Sequence, residues 1–271
     1  MMRLLIFATV LVATSSSLRA QTDYYNTDTG RPIQIEDAFA LERRGFELQV
    51  APLRLSRARN GVYTWGVEPE LAFGILNRTQ IEFGIPIAHV DQRSTGGGLG
   101  ISGMELSVLH TLNAETSLPA LAVAADLLLP VGRFAPDRAY ASVKGIMTRT
   151  FPAFRVHANA QYTFGRSPTT GTAAPIGAVG QSVEVSRWIA GAAIDRPIPL
   201  KSVLMTAELY ARKPLDVAES VEWNAGAGVR YQLAPRWAMD AGIGRALSGT
   251  DHAWFVTGGG AYAFGLPWRA R

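Results

Sequence analysis

The chain has 271 residues, a formal net charge of +4, a hydrophobic content of 48% and no cysteine. The lack of cysteine excludes disulfide bonds and a lipid-modified N-terminal cysteine. The net charge is small and the basic residues are spread singly along the chain instead of forming stripes. Both features argue against a nucleic-acid partner. Beyond the N-terminal region, the longest apolar stretch is interrupted by Asp126 and is too short for a membrane-spanning helix.

The first residues have the pattern of a cleaved signal peptide. Arg3 precedes an apolar run over residues 4–12, and Ala20 stands before the expected cleavage point. Because this run is shorter than the roughly 20 residues of a spanning helix, a signal peptide over residues 1–20 is favoured over a membrane anchor.

Residues 21–44 show none of the alternation that dominates the rest of the chain. We predict that they form an N-terminal segment that either lies in the periplasm or plugs a lumen. Within this segment, residues 33–43 are predicted to form a short amphipathic helix.

From residue 45 onwards, apolar and polar residues alternate with period two, which predicts strands with one apolar face. In the clearest case Val221, Trp223 and Val229 occupy one face, and Asn224 and Arg230 the other. The predicted strands span residues 45–54, 63–73, 80–87, 101–112, 118–130, 140–150, 154–165, 183–195, 202–212, 220–233, 236–246 and 252–264.

The fold class predicted from these strands is all-β, a transmembrane antiparallel up-and-down β-barrel of about 12 strands. The barrel covers residues 45–264 and is followed by a C-terminal tail at 265–271. In the middle of the chain short connections alternate with long ones rich in Gly, Pro, Ser and Thr, as outer-membrane barrels require. A soluble β-sandwich also has alternating strands, but the number of long strands and the order of the loops favour the barrel.

If the apolar faces meet lipid, the polar faces line the interior of the barrel. Both signs of charge occur there, so the lining fits either a salt-bridged wall or a selective path for a solute. The predicted lumen-lining residues are Glu68, Glu70, Glu82, Asp126, Arg155, His157, Asn159, Glu208, Arg212, Glu222, Arg230 and Asp240, with Glu105 and Lys144 on the same faces.

An enzymatic function has little support in the sequence. The four histidines are His89, His110, His157 and His252, and none accompanies a Gly-x-Ser-x-Gly motif. We therefore predict no catalytic residues, and an outer-membrane lipid hydrolase remains a weaker alternative. The histidines and carboxylates also lack metal-ligand spacing, so no metal and no cofactor are expected.

Several short motifs occur in a characteristic order along the chain. They are Arg31-Pro32 and Glu36-Asp37-Ala38, then Leu118-Pro119-Ala120 and Leu129-Pro130-Val131-Gly132, then Thr148-Arg149-Thr150, His157-Ala158-Asn159 and Tyr162-Thr163-Phe164-Gly165. In these stretches the chain resembles the barrel proteins named after the MetA pathway of phenol degradation. The resemblance implies an outer-membrane transporter for small solutes, including apolar or aromatic ones, and transfers no catalytic residues.

Two functions are therefore expected for a protein of the cell outer membrane. The first is a channel or transporter, whose partners are outer-membrane lipid and a small-molecule solute. The second is a structural or adhesive barrel that acts through external loops at residues 90–100 and 166–182.

Overall fold

The computed structural model describes residues 25–57, 63–90, 98–166, 185–198, 202–215, 220–248 and 253–265. The predicted signal peptide lies outside these residues. Within them, fourteen strands form one antiparallel sheet. The strands are β1 Gly45–Arg57, β2 Tyr63–Leu76, β3 Thr79–Gly84, β4 Ile87–Val90, β5 Gly98–Ile101, β6 Met104–Asn113, β7 Ala120–Leu129, β8 Tyr140–Thr150, β9 Arg155–Thr163, β10 Ser186–Ile198, β11 Val203–Pro214, β12 Glu222–Ala234, β13 Trp237–Ala246 and β14 Trp254–Gly265.

The sheet closes on itself because β1 pairs with both β14 and β2. Strands β3 and β4 both pair with β2 and together act as one long strand of the barrel, interrupted at Ile85-Pro86. Strands β5 and β6 likewise act as one long strand, interrupted at Ser102-Gly103. If β3 with β4 and β5 with β6 are each counted as one interrupted strand, the described residues form a closed antiparallel barrel of twelve strands. This confirms the predicted fold class.

The two faces of the wall differ in polarity, as the period-two pattern predicts. On β12, Val229 and Leu233 are 43% and 53% exposed on the outside, whereas Asn224 and Arg230 are buried inside. Large apolar side chains are exposed in the same way on strands all around the barrel. An apolar outer surface of this extent is stable in lipid and not in water. No helix among the described residues is long and apolar enough to cross a membrane.

One end of the barrel carries short connections, such as residues 77–78 and 235–236. In outer-membrane barrels this end faces the periplasm. At the same end, Phe46 stacks against Phe73 and Phe264, with ring centroids 4.3 and 5.3 Å apart. These rings form part of an aromatic girdle at the level of the lipid headgroups.

Residues 25–44, which we call the strap, lie inside the barrel. The helix predicted over residues 33–43 is wrong, because this stretch has no helical residues. An extended backbone is stable here because side chains of the wall accept hydrogen bonds from its N–H groups. In a helix those N–H groups would instead donate hydrogen bonds to carbonyl oxygens of the helix itself.

Candidate functional site

The strap follows the inner wall of the barrel around most of its circumference. At successive points its backbone N–H groups donate hydrogen bonds to side chains of the wall, with donor–acceptor distances of 2.6 to 3.1 Å. At the far end Thr257 on β14 donates to the carbonyl oxygen of Pro32 at 2.9 Å. The donor and acceptor residues are Leu41 and Gln80 on β3, Ala40 and Thr111 on β6, Ala38 and Thr148 on β8, Glu36 and Asn159 on β9, and Gln34 and Glu208 on β11.

Apolar contacts and small residues complete the fit between strap and wall. Ile33 and Ile35 are buried in a cluster with Ile189, Ala193 and Tyr210, and Ala38 lies in a second cluster on β6, β7 and β8. A Cβ atom at Gly228 would lie 2.6 Å from the Pro32 side chain, and one at Gly242 would lie 2.6 Å from the Pro32 oxygen. These neighbouring glycines on β12 and β13 therefore leave the space that the strap occupies.

Arg31 anchors the strap in a buried group of charges. It forms an ion pair with Asp28 of the strap and another with Glu47 on β1 at 3.1 Å. Asp240 lies 4.0 Å away, and Arg230 approaches Asp28 at 3.6 Å. Because buried charges require partners, removing one of these groups would leave the others uncompensated. Two of the predicted lumen residues, Arg230 and Asp240, thus lie against the strap.

A second polar network joins the strap to β8, β9 and β10. His157 Nε2 lies 2.9 Å from Asp195, and its Nδ1 lies 2.9 Å from the Thr148 hydroxyl. Since Thr148 accepts the N–H of Ala38, its own proton is available to His157, whose Nε2–H then donates to Asp195. This order of donors satisfies every member of the chain.

Arg155 closes this second network. Its guanidinium donates to Asp195 at 2.6 Å and to the carbonyl oxygen of Tyr25. It also lies 3.9 Å from Asp37, whose side chain accepts the N–H of Thr27 at 3.0 Å. Burial raises the pKa of Asp37 to about 6, against the opposing effect of Arg155 and His157.

Replacement of Thr148 by Val tests the second network. The change keeps the shape of the side chain but removes the acceptor of Ala38 N–H and the donor to His157. Leaving these buried groups unpaired should lower the free energy of unfolding by about 1–3 kcal/mol, measured by urea titration in lipid vesicles. Thr148→Ser keeps the hydroxyl and should retain most of the stability. Equal losses in the two variants would show that the hydroxyl has no role.

A cavity of about 70 Å³ lies on the side of the strap that faces the long connections. Acidic side chains dominate its lining. They lie on the strap and on the four neighbouring strands β2, β3, β6 and β7. These acidic residues are Asp28, Glu36, Glu68, Glu70, Glu82, Glu105 and Asp126. Lys144 also lines this cavity and forms an ion pair with Glu36 at 2.6 Å. We call this space the acidic cavity.

A second cavity, of about 470 Å³, lies on the opposite side of the strap. Strap residues Tyr25, Asp37 and Phe39 line it together with Thr150 and Arg155 at the short-turn end of the wall. The strap therefore separates one cavity from the other inside the barrel.

The predicted lumen residues fall into three groups in the structure. Glu68, Glu70, Glu82 and Asp126 line the acidic cavity. Arg212 and Glu222 form an ion pair with each other at 2.6 Å. The remaining six are in contact with the strap or with the networks that hold it, namely Arg155, His157, Asn159, Glu208, Arg230 and Asp240.

Sequence reasoning missed several wall residues that hold the strap. Gln80, Thr111 and Thr148 lie on polar faces, but their neutral side chains carry no signal of a partner. Asp195 lies at the end of a strand dominated by small residues, where alternation is weak. Its charge on the inward face was the one signal available.

The other histidines are not part of these networks. His89 stacks on Trp65, and His110 lies 2.9 Å from the Thr79 hydroxyl on the outer face of the barrel. His252 lies outside the described residues. Among the residues that the structure describes, no group of three or more His, Asp or Glu side chains is arranged to hold a metal ion.

The fold is similar to solved structures of outer-membrane proteins. The COG4313 outer membrane channel from Pseudomonas putida F1 aligns over 88% of this chain and 100% of its own, with 11% identity and a TM-score of 0.55. The KdgM porin aligns over 80% and 99%, with 12% identity and a TM-score of 0.52. The β domain of the Bordetella autotransporter BrkA aligns over 81% and 99%, with 15% identity and a TM-score of 0.51.

No family model matches the chain, and no curated protein matches it. At identities of 11 to 15%, what the chain shares with the solved structures is the fold. Together with the apolar outer surface, this fold defines an outer-membrane β-barrel protein.

Proposed function

We propose that this barrel is a channel for small solutes, held closed by the strap. The observation that carries the proposal is the position of the strap between two cavities, one on the side of the long connections and one on the side of the short turns. A solute crossing the barrel along its axis would have to pass the point that the strap occupies.

The way in which the strap is held supports a removable obstruction. Backbone N–H groups of the strap between residues 34 and 40 bond to side chains of the wall instead of joining the backbone ladder of a strand. Displacing it would therefore leave the barrel pairings intact. The polar side chains so exposed, such as Asn159 and Glu208, would then line a hydrated path.

The resemblance to the MetA-pathway family makes small apolar or aromatic compounds the first solutes to test. A barrel of about twelve strands leaves a narrow lumen even without an obstruction, so large solutes should be excluded. The alternative of an adhesive barrel depends on external loops whose central parts, residues 91–97 and 167–184, lie outside the described residues.

A disulfide that fixes the strap to the wall tests the proposal. Ala40 N lies 3.1 Å from the Thr111 hydroxyl, so these two residues are direct neighbours across the contact between strap and wall, and cysteines are placed at both positions. Mass spectrometry would first establish that the disulfide forms on oxidation. The natural chain has no cysteine that could compete. In planar bilayers, the double variant Ala40→Cys with Thr111→Cys should give no channel openings when oxidised and should regain openings after reduction.

The single variants Ala40→Cys and Thr111→Cys serve as controls and should not respond to oxidant. Currents that are equal in the oxidised and reduced double variant would show that the path does not pass the strap. The channel proposal would then fail.

A further inference from the structure

The charges around the acidic cavity are strongly unbalanced. Seven carboxylates line it against one lysine, and that lysine is already paired with Glu36. Asp28 is compensated by Arg31 and Arg230. Of the other five acidic side chains, four form no ion pair among the described residues, namely Glu70, Glu82, Glu105 and Asp126. An arrangement of this kind attracts cations and repels anions.

A second, independent feature of the cavity is a pair of buried neutral side chains. The side-chain oxygens of Gln34 and Ser186 have no hydrogen-bond partner within the described structure, although these residues are only 5% and 4% exposed. Both line the acidic cavity, as does the unpartnered Oε2 of Glu105. Buried acceptors are rarely left unsatisfied, so these oxygens point to a ligand with N–H donors.

The cavity also has an apolar side. Leu128, Tyr140 and Ile189 are each less than 8% exposed and line it together with the carboxylates. This surface suits a hydrocarbon body better than a hydrated ion. A metal ion would in addition require converging carboxylate ligands, and no such group occurs among the described residues.

We infer that the acidic cavity binds a small organic ammonium cation, an apolar body that carries one protonated amine. The ammonium group would donate to the carboxylates of Glu70 and Glu105 and to the oxygens of Gln34 or Ser186, while the body contacts Leu128 and Tyr140. The inference rests on the proposed function in that it names the class of solute the closed channel would hold.

Equilibrium binding to the full chain in detergent micelles tests this site without any current. The probe is butylamine, compared by titration calorimetry with butan-1-ol and butyrate, which have bodies of similar size without the positive charge. Butylamine should bind, whereas the alcohol and the carboxylate should not. The double variant Glu70→Gln with Glu105→Gln should weaken butylamine binding at least about tenfold, which corresponds to about 1.4 kcal/mol.

Glu115→Gln is the matched control, because this carboxylate lies in the β6–β7 connection and accepts bonds from Thr150 away from the cavity. It should bind butylamine like the natural chain. Equal binding of butan-1-ol and butylamine, unchanged binding by the double variant, or tighter binding of Ca²⁺ than of butylamine would each overturn the inference. Butylamine binding in a barrel that carries no current would support the site and contradict the channel; current without butylamine binding would do the reverse.

Discussion

Val229→Arg is expected to lower the free energy of unfolding by about 2–4 kcal/mol when the protein is folded in lipid vesicles. Val229 lies in the middle of β12 with its side chain on the outer face. If this face meets the hydrocarbon core, an arginine there must lose much of its hydration or distort the bilayer around it. Unfolding in urea, measured by tryptophan fluorescence, would determine the change.

Leu233→Arg provides the matched control. It lies on the same face of the same strand, but at the end next to the short β12–β13 turn, where the lipid headgroups are expected. The cost there should fall to about 0–1 kcal/mol. In a soluble sandwich, arginine on an exposed face would cost little at either position. Equal small losses would therefore contradict the membrane assignment of the outer face.

The strands and their faces could be predicted from the sequence because period-two alternation is a local property. The predicted strand at residues 140–150 coincides with β8, and the one at 220–233 differs from β12 by two residues at its start and one at its end. Closure of the barrel followed from an even number of strands and alternating loop lengths. In each case neighbouring residues carry the information.

The strap could not be predicted in the same way, because distant residues determine its conformation. A short amphipathic helix was predicted over residues 33–43, yet Ile33 and Ile35 of this stretch pack on Ile189 and Tyr210 from strands far along the chain. The N–H groups that a helix would use are bonded to acceptors such as Glu208. Tertiary contacts therefore override the local pattern.

The distribution of charge inside the barrel could likewise not be predicted from the sequence. Alternation placed acidic and basic residues on the same inner faces, which suggested a mixed network. In the structure, Arg155 and Arg230 lie with the strap, whereas Glu70 and Glu82 lie in the acidic cavity. Register between strands decides which inward residues meet, and the sequence alone does not give the register.

Deletion of residues 21–44 is expected to give the largest functional effect. The variant loses the strap, with the hydrogen bonds and ion pairs that attach it to the inner wall, but none of the strand pairings that close the barrel. Without the strap the two cavities should merge into one continuous hydrated path. Heat-modifiable migration on a detergent gel would first show that the variant still folds as a closed barrel.

Single-channel recording in planar bilayers then compares this variant with the full chain. We expect small or rare openings for the full chain, and a severalfold larger, long-lasting conductance for the variant that lacks residues 21–44. A correctly folded deletion variant with the same current as the full chain, or with none, would contradict the claim that the strap closes a channel.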